Sequence, residues 1–182
     1  LGAQEDLNTR TKDIPEEEKP SVYVGGLGYK GAHGIESAQG EYALLDVINA
    51  WNVVDETGSS GSVMVDKEQL LEWDPDVIIV DAGGLANVTE DYETNPDFYD
   101  TLSAFQNGRV YMQLPYNSYY TNIDIAITNA YYIGTVLYPE QFADVDIAAK
   151  ADEIFDFLLG QPLYETLAPQ YYGGYGPLTL GE

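Results

Sequence analysis

The chain contains no cysteine. That excludes disulfides, thiol catalysis and thiolate metal sites, and leaves the compartment open. It is also poor in positive charge. Seven Lys and Arg face 31 Asp and Glu, a formal net charge of −24, so phosphate backbones and anionic lipid surfaces are repelled. No nucleic-acid partner is expected, and a membrane is expected only through a tether. No apolar run approaches the roughly 20 residues that a spanning helix needs. No secretory signal opens the chain, since residues 1–12 are polar and charged. The sequence fits a cytosolic protein or a mature or truncated piece of an exported one. There is a single histidine, His33. A Ser-His-Asp triad would have to use it, and no Gly-x-Ser-x-Gly elbow accompanies it.

What the chain does have is a core. Hydrophobic residues make up 45% of its 182 positions, enough to argue against wholesale disorder. Residues 1–20 are polar and end in an acidic run bracketed by Pro15 and Pro20, which reads as the end of a helix and a linker. Ser21-Val22-Tyr23-Val24 reads as a buried strand stopped by Gly25-Gly26. Leu27 to Gly40 is a long glycine-rich loop, and such loops usually carry function. The spacing of Tyr42, Leu45, Val47, Ile48 and Trp51 predicts a helix, and Val53-Val54 a short strand. Val63-Met64-Val65 is extended. Asp66 is placed to cap a helix over Lys67–Trp73.

Val77-Ile78-Ile79-Val80 is a continuous apolar strand of the kind covered on both faces in a parallel sheet. Two short helical segments are expected over 89–107, a strand over Arg109–Met112, a long helix from Thr121 or Asn122 to Leu137, and helices over 146–159 and 162–171 with Gly160 as a stop. The tail from Gly173 reads as irregular. Strands alternating with helices predict an α/β, three-layer α/β/α lobe, Rossmann-like, with a mostly parallel central sheet. Ligands in such a fold meet the loops beyond the carboxyl ends of the strands, here 25–40, 81–88 and 113–122.

Several segments could carry chemistry. Gly26-Leu27-Gly28-Tyr29-Lys30-Gly31 matches the dinucleotide fingerprint, but that mechanism needs a helix opening at the third glycine, and Ala32 to Gly40 is a poor helix start. Asp144, Asp146, Asp152 and Glu153 suggest a calcium loop, yet Ala148 and Ala149 occupy positions that need an oxygen ligand and a glycine. Those acids are expected to cap and solvate a helix start instead. Sixteen tyrosines are present, and Tyr116, Tyr119 and Tyr120 crowd one loop, where aromatic rings with a polar tip suit a ligand. No catalytic residue, metal ligand or cofactor is identified.

Lys67-Glu68-Gln69-Leu70-Leu71-Glu72-Trp73-Asp74-Pro75-Asp76-Val77-Ile78-Ile79-Val80 resembles a known signature, a short helix followed by Pro-Asp and a hydrophobic strand. Ala50-Trp51-Asn52-Val53-Val54 is similar to a companion segment in which glycines stand at the first two places. Leu102 to Tyr111 resembles a third, and the run from Leu114-Pro115-Tyr116-Asn117 through Tyr138-Pro139-Glu140-Gln141-Phe142 is like a subgroup annotated for iron complexes. Together, over roughly residues 10–175, they resemble the extracytoplasmic substrate-binding proteins of ABC importers for iron–siderophore, haem and cobalamin.

The resemblance implies a two-lobed, non-catalytic protein with its ligand in the cleft between lobes. Residues 1–20 would be the end of the interlobe helix and a linker, and 21–182 the C-terminal lobe. It implies capture of a metal chelate, most of all an iron–siderophore, and delivery to an ABC permease. The location would be periplasmic or cell-surface, with a lipid anchor on the full-length parent. Tyr29, Lys30, His33, Tyr116, Tyr119 and Asn122 are the ligand-binding candidates, by position in the loops. Glu68 is the permease-docking candidate, since such a contact pairs acids with arginines. Two rivals remain: a nucleotide-dependent α/β enzyme domain using Gly26–Gly31, and a surface domain whose tyrosine loop meets another protein.

Overall fold

The computed structural model describes residues 2–117 and 119–181. Strands β1 (Ser21–Gly25), β3 (Trp51–Asn52), β5 (Val77–Asp81), β6 (Val110–Gln113) and β7 (Gly176–Pro177) form one sheet in the order β3-β1-β5-β6-β7. The first four are mutually parallel, with Val22 opposite Val77 and Ile78 opposite Val110, and only β7 runs antiparallel. Strands β2 (Ser37–Gly40) and β4 (Gly61–Met64) pair antiparallel in a separate small sheet.

Alternation along the strands builds two cores. Val22, Val24, Val77 and Ile79 face one side, with α1 (Ala3–Thr11), α2 (Ala43–Asp46), α7 (Ile123–Leu137) and α8 (Ile147–Leu159). Tyr23, Ile78, Val80, Val110 and Met112 face the other, with α3 (Lys67–Trp73), α4 (Leu85–Thr94), α5 (Pro96–Thr101) and α6 (Ser103–Gln106). Burying each of these aliphatic side chains stabilises by about 1.5–3 kcal/mol. The result is the expected α/β/α lobe. Helix α1 is packed down: Ala3 and Leu7 lie in the first core, and Arg10 pairs with Asp144 at 2.6 Å. Among the described residues no helix is long and apolar enough to cross a membrane.

Helix α3 keeps its expected bounds, although Asp66 makes no side-chain capping bond. In α8, Asp146 accepts from the Ala149 amide at 3.0 Å and Gly160 closes the helix in the left-handed region. The acids once readable as a calcium loop are thus helix and ion-pair partners. The helix expected over 42–51 shrinks to α2, because Asn49 turns left-handed (φ 51°) and sends Trp51 into β3. Residues 53–57 form a 3-10 turn instead of a strand. Three helices, not two, cover 85–106. The expected helix over 162–171 divides into α9 (Tyr164–Leu167) and a 3-10 turn at Ala168–Tyr171.

Candidate functional site

Because β1, β5 and β6 are parallel neighbours, the segments that leave their carboxyl ends, 26–36, 82–84 and 114–122, emerge on one edge of the sheet. They touch there. A Cβ on Gly84 would sit 2.5 Å from the His33 carbonyl oxygen, and one on Gly28 would sit 2.5 Å from that of Asn117. Glycine is needed at both places so that the backbones can meet.

The first loop is organised by its own backbone. Leu27 N–H donates to the Ser37 carbonyl at 3.1 Å, Ser37 Oγ donates to Leu27 at 2.7 Å, and Lys30 takes φ 55°. No helix follows Gly31; the chain runs through turns into β2. The helix N-terminus on which pyrophosphate binding depends is therefore missing, and the nucleotide reading loses its physical basis. Tyr29 and Lys30 are exposed, with Lys30 Nζ 5.2 Å from the Tyr29 ring centroid. His33 Nε2 lies 2.9 Å from the Tyr29 carbonyl.

In the third loop Asn122 N–H donates to the Tyr116 carbonyl at 2.8 Å and Asn117 bridges Thr121. At its tip Tyr119 and Tyr120 are 75% and 88% exposed. Asn122 is exposed at the N-cap position of α7 without making a capping bond. Tyr116 differs from the other candidates. Its ring is 8% exposed and lies 6.3 Å from that of Tyr42, turned inward under the edge. All six ligand-binding candidates thus share one edge. Glu68 is exposed on the first turn of α3. Beside it, Lys67 pairs with Asp91 of α4 and lies over the Phe98 ring of α5.

Beneath the loops lies a polar cluster that sequence reasoning passed over. Asp81, the last residue of β5, is 2% exposed. Its Oδ1 accepts from Gly83 N–H at 2.8 Å, and its Oδ2 accepts from Gln113 Nε2 at 3.1 Å. Gln113 Nε2 also donates to Tyr42 Oη at 3.2 Å. Burial pushes the Asp81 carboxyl up to about 7, against which the bonds from Gln113 and Gly83 act only partly. Burial likewise raises the phenols of Tyr42 and Tyr116. A crevice lined by Leu27, Gly28, Gln39, Ser62, Asp81, Tyr116 and Asn117 reaches the cluster and is too narrow to hold a water molecule. The one available signal was an acid ending an apolar strand and followed by Ala-Gly-Gly.

Beside the edge runs a groove of about 560 Å3, bounded by Leu7, Leu44, Tyr116, Ile123 and Ala126 among others. Among the described residues no group of three or more acids or histidines is placed to hold a metal ion.

No protein-family model and no curated protein matches the chain. Solved structures do match. A periplasmic solute-binding protein from Veillonella parvula superimposes with a TM-score of 0.68 at 16% identity, over 93% of this chain and 51% of that one. The molybdate periplasmic binding protein MolA of Haemophilus influenzae, with molybdate bound, gives 0.67 at 19%, over 97% and 49%. CeuE of Helicobacter pylori, with Ni(II) bound, gives 0.65 at 18%, over 91% and 52%. The chain has the α/β fold of one half of these proteins and spans about half their length.

Proposed function

We propose that this chain is the C-terminal lobe of a two-lobed, extracytoplasmic solute-binding protein. Residues 1–20 then close the interlobe connection, and residues 21–182 form the lobe. The protein captures a metal chelate, an iron–siderophore before others, and delivers it to an ABC import permease without catalysis. The observation that carries this reading is the convergence of three loops on one open edge, on which Tyr29, Lys30, Tyr119 and Asn122 are exposed. A site built on one side only needs a second wall, and the similar solved structures are about twice as long as this chain. The bound molecules named for two of them, molybdate and Ni(II), differ in chemistry, so the choice of chelate rests on this chain's own residues.

In this reading Tyr29, Lys30, His33, Tyr119 and Asn122 contact the ligand directly. Tyr116 supports the edge from below and reaches the ligand through the crevice wall. Glu68 meets arginines of the permease, and a lipid anchor elsewhere on the parent holds the protein at the membrane. Calorimetry of the full-length protein that carries this chain tests the reading. Ferric hydroxamates, ferric catecholates, haem, cobalamin and molybdate are the probes. Saturable binding of one metal chelate is expected, and binding of none overturns it. Glu68→Arg is expected to impair uptake by cells while leaving chelate affinity intact; unchanged uptake removes the docking role.

A further inference from the structure

Both tryptophans of the chain bound one surface cavity at the amino end of the central sheet. Trp51 opens β3 opposite Ser21, the first residue of β1, and Trp73 closes α3 just before β5. The cavity has a volume of about 270 Å3 and is lined by Trp51, Glu56, Gln69, Glu72 and Trp73, among others. It lies at the opposite end of the strands from the three loops.

Trp73 is half-buried against the second core, and its indole N–H donates to Glu56 Oε2 at 3.1 Å. That bond holds the carboxylate at the rim. Glu72 Oε2 accepts from Gln69 Nε2 at 3.3 Å. Each acid thus has a neutral donor, and none of the ion pairs among the described residues includes either one. No Lys, Arg or His lines the cavity. The last turn of α3 also has no basic residue to set against the negative end of its dipole. Trp51 stays 47% exposed.

These features select the occupant. An anion would meet two carboxylates and a net charge of −24. A lysine ammonium is a compact, strongly hydrated charge. A guanidinium is planar, stacks on an aromatic face and donates through a fork that matches carboxylates. A free small molecule is usually enclosed over most of its surface, in a cavity of roughly 300–1,000 Å3. Here one wall is a half-exposed ring, and the space suits the tip of a side chain whose remainder stays outside. Tryptophan and arginine are also among the residues most enriched where protein interfaces carry their energy.

We infer that this cavity is a docking socket for an arginine side chain on a partner protein. The guanidinium lies against the Trp51 ring and donates to the carboxylates of Glu56 and Glu72, and the partner covers the apolar surface that Trp51 now exposes. The inference stands apart from the chelate-binding reading and uses none of its residues.

The test uses the full-length protein with tryptophan labelled at the indole nitrogen. The N–H signals of Trp51 and Trp73 are identified by their loss in Trp51→Phe and Trp73→Phe. The probes are capped short peptides of glycine and serine with arginine, lysine or norleucine at the centre, and tetramethylammonium. The arginine peptide is expected to shift both indole signals saturably. It should bind at least about 10-fold more tightly than the norleucine peptide and about 3-fold more tightly than the lysine peptide. Glu72→Gln, at an exposed position, should weaken the arginine peptide at least about 5-fold and leave chelate affinity unchanged. Trp51→Ala should weaken it as well, and added salt should weaken it in the wild type. No shift of either indole, equal affinity for the arginine peptide and either of its counterparts, or unchanged affinity in both folded variants overturns the inference. Tighter binding of tetramethylammonium than of the arginine peptide would assign the cavity to a small cation. A wild-type dimer that dissociates in Trp51→Ala would assign it to a second copy of the chain. Either result also overturns the inference, and all of these outcomes leave the chelate-binding reading standing.

Discussion

The two ends of the central strands treat their carboxylates in opposite ways. At the amino end, Asp76 accepts from Ser21 N–H and Ser21 Oγ, both at 2.8 Å, and its own amide donates back to that Oγ at 2.9 Å. Asp74, in the left-handed region at the end of α3, accepts from Ser103 N–H at 2.7 Å and from its hydroxyl at 2.6 Å. The Asp76–Ser21 bonds are reciprocal and the Asp74–Ser103 bonds run one way, and between them they pin the turns before β1, β5 and α6. At the carboxyl end, Asp81 is buried where Asp74 and Asp76 are exposed, has the same number of donors, and stands beside an acceptor, Gln113 Oε1, that has none. One end resembles finished structure. The other keeps unmet polar capacity, the Gln113 Oε1, beneath the three converging loops.

The largest effect that separates the ends is in the pH dependence of stability. The folded-state pKa of Asp81 is raised to about 7 from an ordinary value of 3.8. The native state therefore holds its proton after the unfolded chain has released it. Its contribution to stability is present below about pH 4, declines as pH rises toward 7, and changes no further above. A shift of about 3 units corresponds to about 4 kcal/mol across that window. Denaturant titrations at pH 4 and pH 8 should show this decline in the wild type and not in Asp81→Asn; parallel slopes in the two proteins would remove the asymmetry.

Gly84→Ala forces a Cβ against the Gly26 and His33 carbonyls and should cost about 1–3 kcal/mol in the folded protein, with chelate affinity falling as the loops separate. Ser21→Ala strikes the finished end. It leaves Asp76 without its hydroxyl partner and should cost about 1 kcal/mol while leaving affinity untouched. An affinity loss in Ser21→Ala larger than that in Gly84→Ala would invert the comparison. The smallest structural effect is expected of Tyr119→Ala, whose ring is exposed. Stability should move by no more than about 0.5 kcal/mol, with chelate affinity the quantity that drops.

Much of this was legible in the sequence because local signals agreed with the fold. The unbroken apolar run of β5 marks a strand covered on both faces, and Asp74-Pro75 and Gly160 end helices in conformations those residues favour. The positions of the three loops followed from parallel topology alone. What stayed hidden depends on distant partners. Strand β2 lies in Ser37-Ala38-Gln39-Gly40, which has no β-branched residue and owes its extended form to pairing with β4. The burial of Asp81 and Gln113 is created by α2 and the third loop, which arrive from residues 42 and 116. A tyrosine in a loop reads as exposed, and Tyr116 is not, because Tyr42 and the groove beside α7 take its ring. No local pattern encodes such coverage.

Amide hydrogen exchange of the full-length protein, with and without its bound chelate, tests most directly whether the loop edge is one wall of a binding site. The account predicts ligand-dependent protection confined to residues 26–34 and 114–122, with residues 74–76 and 102–104 exchanging alike in both states. Protection at the amino-end turns instead, or at neither end while the chelate is bound, would contradict it.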